Sequence, residues 1–134
     1  MGLKDLNSQN DMAKLTPEEI DSISENFGRS LADRRDGIKT NQVRNIFATV
    51  QSLRTKLKTM KKWNDELHQE LVLIKPKLAY AAGRQRNVKP LYELLSKGIQ
   101  ITVNSSEQTK ALENFIQLVE SIVAYHKFHG GRDN

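Results

Sequence analysis

Cysteine is absent from the 134 residues, which excludes a disulfide framework, a thiol nucleophile and a thiolate metal site. No apolar run approaches the roughly 18 residues needed to span a bilayer. The first residues lack the apolar stretch of a secretory signal. Position 6 is Leu where a myristoylation motif built on Gly2 wants Ser or Thr. These absences lead us to expect a cytoplasmic protein with no membrane partner. A nucleophile elbow, a glycine-rich phosphate loop and a zinc-binding HExxH are also missing, which removes the commonest enzyme signatures. What is present suits one domain: the length can bury a core, and 37% hydrophobic residues is low but above the range of a disordered chain.

The net charge of +5 conceals an asymmetry. From Lys39 to Asn64 there are seven basic residues and no acid: Lys39, Arg44, Arg54, Lys56, Lys58, Lys61 and Lys62. From Lys75 to Tyr92 there are five more, again with no acid: Lys75, Lys77, Arg84, Arg86 and Lys89. The remaining nine basic residues share the rest of the chain with all 16 acids. A basic middle inside an acidic frame is either a solvated face or a polyanion footprint, and two separate acid-free windows favour the footprint.

Helical periodicity dominates the chain. Residues 1–15 carry little pattern and are expected to be a mobile N-terminal segment, followed by a single helical domain over 16–131 and a tail over 132–134. Thr16-Pro17-Glu18-Glu19 reads as a capping box with proline at the first helical position. Ile20, Ile23, Phe27 and Leu31 follow as one stripe, which stops near Asp33, and Asp36-Gly37 reads as a turn. A second helix starts with Thr40 as cap and uses Val43, Ile46, Phe47, Val50, Leu53 and Leu57, with a break near 61–64. Arg44, Gln51, Lys58 and Lys62 form a separate stripe beside that face. A third helix from Asn64 or Asp65 buries Leu67, Leu71, Ile74, Leu78 and Ala81. Pro76 inside it predicts a kink near 72–75 or two abutting helices, with Gly83 as terminator. A short fourth helix covers 90–97, stops at Gly98 and leads into an extended linker over 99–103. Ser105 or Ser106 caps a last helix, the most buried, with Leu112, Phe115, Ile116, Val119, Ile122, Val123 and His126 inward and His129-Gly130-Gly131 at its end. The expected fold is an all-α bundle of about five helices.

Material for catalysis is thin. His126 and His129 stand three apart, but a metal site needs a third and usually a fourth ligand, and the placement of His68 and Asp133 offers no support. Asp65, Glu66 and Glu70 suit the dipole of a helix start without further chemistry. We therefore expect no enzyme activity, no metal and no cofactor. The basic residues suit phosphate contacts, Arg54 by snorkelling outward. Lys75 and Lys77 point to opposite flanks of their helix. Arg84 and Arg86 follow a glycine whose neighbouring amides could also face a phosphate. Arg44 or Lys77 could instead pair with the Asp65, Glu66, Glu70 patch. Tyr80 and Tyr92 are the sole aromatics among the arginines, so binding should be led by shape and charge.

Three segments carry a family resemblance. Leu73-Ile74-Lys75-Pro76-Lys77-Leu78-Ala79-Tyr80-Ala81-Ala82-Gly83-Arg84 resembles the central signature of the small subunit of type III-A CRISPR–Cas effector complexes, the Csm complexes. Residues 39–47 and 120–131 are similar to its flanking segments, so the likeness covers about 37–131 in the family's order. Asn41 stands where the family often has Thr or Ser. The resemblance implies a small all-helical, non-nuclease subunit. Several copies would stack along a ribonucleoprotein filament, next to neighbouring copies and to the backbone and large subunits. There the subunit would help to hold the duplex of crRNA and target RNA through backbone contacts. Carried over by position, the matched basic residues are Arg44, Lys75, Lys77 and Arg84, while Arg54, Lys58, Arg86 and Lys89 come from the charge map alone. Ala79 to Gly83 also read as small residues that let helices approach, with Tyr80 packed. A different class of function, a helical adaptor whose basic face docks an acidic protein, fits the same charge pattern.

Overall fold

The first helix begins where its capping residues place it. Thr16 Oγ1 accepts from the Glu19 amide at 3.1 Å, and Glu19 Oε1 accepts from the Thr16 amide at 2.9 Å. Two donors that a helix start leaves unpaired are thereby satisfied. The structure, a computed structural model, describes residue 6 and residues 9–32 and 37–130. Over these residues the chain forms α1 (Pro17–Leu31), α2 (Thr40–Met60), α3 (Asp65–Arg84), α4 (Lys89–Val103) and α5 (Gln108–Phe128). Two 3-10 turns, Met12–Lys14 and Arg86–Val88, complete it, with no strand among the described residues. The fold is an all-α bundle of five helices.

Most of the apolar stripe residues are buried as their spacing predicts, while Ile46, Phe47 and Ala81 are only half-buried. Ile20, Ile23, Phe27 and Leu31 are buried on α1, Val43, Val50, Leu53 and Leu57 on α2, and Leu67, Leu71, Ile74 and Leu78 on α3. Lys61, with φ 68°, closes α2, and Asn64 opens α3 by accepting from the Leu67 amide at 2.9 Å. The cap of α2 is Lys39 rather than Thr40, because Gln42 Oε1 reaches back to the Lys39 amide at 2.7 Å. Helix α3 passes through Pro76 as one element, so it is not two abutting helices. It also passes Gly83, and Gln85 closes it.

The second half of α4 departs from expectation. Lys89–Val103 is one helix, with no stop at Gly98 and no extended linker over 99–103. The reason lies across the interface. A Cβ on Gly98 would stand 3.1 Å from two ring carbons of Phe115 and 3.3 Å from Met12 Cε. Gly98 is there for close approach, and the packing of Ile99, Ile101 and Thr102 overrides the local weakness of glycine in a helix.

The described part of the N-terminal segment packs on the bundle. Leu6, Met12 and Leu15 are buried, and the first 3-10 turn packs on α4 and α5. Asn114 on α5 is buried, and its Nδ2 donates to the Met12 carbonyl at 2.8 Å and the Leu15 carbonyl at 3.3 Å. A buried carboxamide needs such partners, and they tie the turn to α5. The remaining residues of 1–15, the turn expected at Asp36 and the tail at 132–134 lie outside the described residues.

Helix α5 is the centre of the bundle and contacts α1, α2, α4 and the first 3-10 turn, while α3 packs on α2 and α4. Its cap is Glu107; Ser105 Oγ accepts from the Glu107 amide at 2.9 Å, one step before the helix. Helix α1 lies tight against it at Gly28, where an added Cβ would lie 2.7 Å from Tyr125 Cβ and 2.9 Å from the His126 nitrogen. These are backbone and near-backbone atoms that cannot swing away. Gly28→Ala should therefore lower stability by about 1–3 kcal/mol in urea unfolding, the usual range for overpacking. On the same interface Tyr125 Oη donates to Asp21 Oδ1 at 2.5 Å, and this bond, aided by partial burial, raises the phenol above its ordinary value. A phenol raised by folding contributes fully below the unfolded value of about 10 and loses that contribution as pH rises through the folded one. Tyr125→Phe should therefore flatten the fall in stability above about pH 10, measured by urea midpoints across pH.

Candidate nucleic-acid interface

Helix α3 has two unlike faces. Leu67, Leu71, Ile74 and Leu78 look inward. Leu73, Lys77, Tyr80 and Arg84, spaced by four, three and four, share an outward stripe, and all four are exposed. Tyr80 is 68% exposed, and the Arg84 guanidinium carbon stands 5.8 Å from its ring centroid. That is within the range of a cation–π contact. The tyrosine expected to pack is therefore a surface residue held beside a cation.

This stripe forms one side of a groove of about 390 Å³. The facing side is the first half of α2, through Gln42, Asn45, Ile46 and Thr49. Ile74, Leu78, Ala81 and Val88 make an apolar floor between them. Lys77, Tyr80 and Arg84 stand along the groove, and no carboxylate lines it. At the end near Gln85 a carboxamide network fixes the geometry. Gln42 Nε2 donates to Gln85 Oε1, Asn87 Nδ2 donates to Gln42 Oε1 at 3.2 Å, and Asn87 Nδ2 also donates to the Gly37 carbonyl at 3.1 Å.

The structure brings some of the expected cations together and separates others. Lys77 and Arg84 share the groove. Arg86, in the second 3-10 turn, and Lys89, at the start of α4, are exposed near its Gln85–Val88 end without lining it. Lys75 is half-buried and, two residues from Lys77, lies about 160° round α3 from it. Arg44 lies roughly 150° round α2 from the residues that line the groove, on the same flank as Lys58. Lys58 lines a second depression between α2 and α5 that also contains Glu113, which makes it less suited to an anion.

Arg54 is engaged inside the bundle. Its Nε donates to Glu120 Oε2 at 2.6 Å and its Nη2 to Glu120 Oε1 at 2.5 Å, while Gln51 Nε2 donates to Oε2 at 2.7 Å. The bidentate bond to Glu120 raises the guanidinium's pKa further. The acids at the start of α3 also have their cation. Lys56 Nζ lies 2.5 Å from Glu70 and 3.1 Å from Glu66, and these bonds, Glu70's first, raise the ammonium. Neither Arg44 nor Lys77 fills that role. His126 is buried with Nε2 donating to the Ile38 carbonyl at 2.7 Å, and His129 packs against Phe128 and Tyr125. Among the described residues no group of three or more His, Asp or Glu is placed to hold a metal ion, and no helix is long and apolar enough to cross a membrane.

Residues 14–132 match the family model described as Csm2 Type III-A. The chain belongs to the Csm2 type III-A family. It is similar to the CRISPR system Cms protein Csm2 of Streptococcus thermophilus, at 31% identity over 96 residues, 72% of this chain and 76% of that one. It is also similar to the protein of the same name from Enterococcus italicus, at 27% identity over 120 residues, 87% of this chain and 86% of that one. Family membership makes this Csm2 relative a type III-A Csm small subunit, with its partners in that complex.

Sequence reasoning missed Tyr80 as an exposed ring, and it missed Asn45, Thr49 and Gln85 among the polar lining residues. The 73, 77, 80, 84 spacing carried a signal for the first. Asn45 had none, since its place depends on how α2 meets α3. The two kinds of cation should separate in unfolding experiments. Glu120→Ala leaves the Arg54 guanidinium and the Gln51 amide without their acceptor and should cost about 1–3 kcal/mol in urea denaturation. Lys77→Ala and Arg84→Ala should stay within about 0.5 kcal/mol of wild type.

Proposed function

We propose that this Csm2 family member is a non-catalytic RNA-binding subunit of the type III-A complex, in the cytoplasm. It contacts the duplex of crRNA and target RNA through backbone phosphates and stacks with neighbouring copies beside the backbone and large subunits. The observation that supports this best is the charge arrangement. Of the eight basic residues singled out, Arg54 alone has a carboxylate partner among the described residues. Lys77 and Arg84 lie along a groove free of carboxylates, with Arg86 and Lys89 beyond its end. Cations kept clear of acids remain available to neutralise phosphates, and phosphate contacts fix position without reading sequence. Arg44, Lys58 and Lys75 occupy other flanks and serve as outlying contacts. The unoccupied cations equally suit an acidic protein partner, and RNA titrations separate the two readings.

Each phosphate contact releases counterions and adds about 0.7 to the magnitude of the log–log salt slope on single-stranded RNA. Arg44→Ala, Lys77→Ala and Arg84→Ala should each weaken RNA binding and shallow that slope, with base preference unchanged. Lys14→Ala and Lys110→Ala, outside the two acid-free windows, should bind nearly as wild type. Fluorescence anisotropy with a labelled RNA across a salt series measures both quantities. Equal losses in window and control variants would mean that net charge alone attracts RNA. No loss in any window variant would leave the adaptor as the better account.

A further inference from the structure

We propose that the α2–α3 groove receives an unstacked nucleobase, stacked on Tyr80, with its flanking phosphates on Lys77 and Arg84. The inference rests on the RNA-binding reading and adds to it a contact with a base, where that reading has contacts with phosphates alone. A groove made for phosphate alone has no use for an apolar floor. This one has Ile74, Leu78, Ala81 and Val88 beneath a rim of one aromatic and two cations. Tyr80 is 68% exposed, so packing against its own protein does not account for a tyrosine there. Its spacing from Lys77 and Arg84, three and four residues, sets the ring between two cations on one helical stripe. Cations tracking a backbone with an aromatic ring between them form the arrangement by which single strands are held, because every base offers a π face.

The opposite wall suits the edge of a base. Asn45 lines the groove, and its side-chain carboxamide has no hydrogen-bond partner among the described residues, so it is free to offer both a donor and an acceptor. Gln42, by contrast, is held by Gln85, Asn87 and the Lys39 amide, and so shapes the groove's end. One free carboxamide that can both donate and accept gives little selection among bases. The occupant is therefore any base that has left its helix: a single-stranded or everted nucleotide, and not one paired in a duplex. The absence of a lining carboxylate agrees with a polyanion and would leave a basic peptide without a partner. The volume of about 390 Å³ falls within the usual range for small-molecule sites, roughly 300–1,000 Å³.

The test uses the full chain and three labelled probes: a single-stranded RNA, the same strand with abasic sites, and a fully paired RNA duplex. Tyr80→Ala should weaken binding of the single strand roughly 5- to 100-fold, the range for losing one base–aromatic stack. The salt slope should not change, since no counterion-releasing charge is removed. Tyr80→Trp should restore the affinity, and the duplex should bind wild type and Tyr80→Ala alike. Independently of any variant, wild type should bind the abasic strand more weakly than the intact one at the same slope. Equal affinity of wild type for the abasic and intact strands, or of folded Tyr80→Ala and wild type for the intact strand, overturns the base site. Salt-dependent binding in the same titrations would leave the phosphate reading standing. Absence of salt-dependent binding to every probe would overturn both.

Discussion

Gly28 lets α1 lie against α5 at a separation that any side chain would prevent, and the bundle is arranged around that contact. With α1 on one side, α2 and α4 on others and the first 3-10 turn against it, α5 buries most of its surface and leaves one stripe, Lys110, Glu113, Gln117 and Ala124, to solvent. Helix α3 is then packed through α2 and α4, and its outer stripe is left facing water. The position of the exposed cations is thus a consequence of which helix occupies the centre. A sequence with its longest apolar face on the last helix, and its basic windows on the second and third, has little choice but to place the charge outside.

The parts of this fold that were legible in the sequence are those set by neighbours three or four residues away. The capping box at Thr16 and Glu19, the stripes of α1 to α3 and the break at Lys61 all arise within one or two helical turns. What could not be read depends on distant partners. Gly98 reads as a stop until Phe115 is seen against it. Residues 1–15 carry little pattern of their own, and nothing in them announces that Asn114, about a hundred positions on, donates to the Met12 and Leu15 carbonyls. Arg54 reads as a free cation until Glu120 is brought to it by the crossing of α2 and α5. In each case a tertiary contact overrides a local tendency.

The segment from Leu73 to Arg84, which carries the family resemblance, divides cleanly once it is wound into a helix. Ile74 and Leu78 are core, Ala81 and Ala82 are partly buried, and Leu73, Lys77, Tyr80 and Arg84 face out. A linear motif therefore mixes two separate demands, for a stable α3 and for a particular surface. The sequence reading gave Tyr80 to the first of these, and its exposure assigns it to the second. Lys75 and Lys77, two apart in the motif, lie on opposite flanks, so only one of them belongs to the groove.

The entry to α2 is fastened from two directions. His126 near the end of α5 holds the Ile38 carbonyl, and Asn87 between α3 and α4 holds the Gly37 carbonyl. These two bonds fix the first turn of α2, and with it one wall of the groove, before any ligand arrives. A site whose wall must be ordered on binding surrenders part of its affinity to the lost conformational freedom. For the proposed site that loss is met during folding, by two side chains that do not line the groove. On the proposed reading the groove is a preorganised cleft, whose affinity would reflect contact with its occupant rather than the ordering of its own backbone.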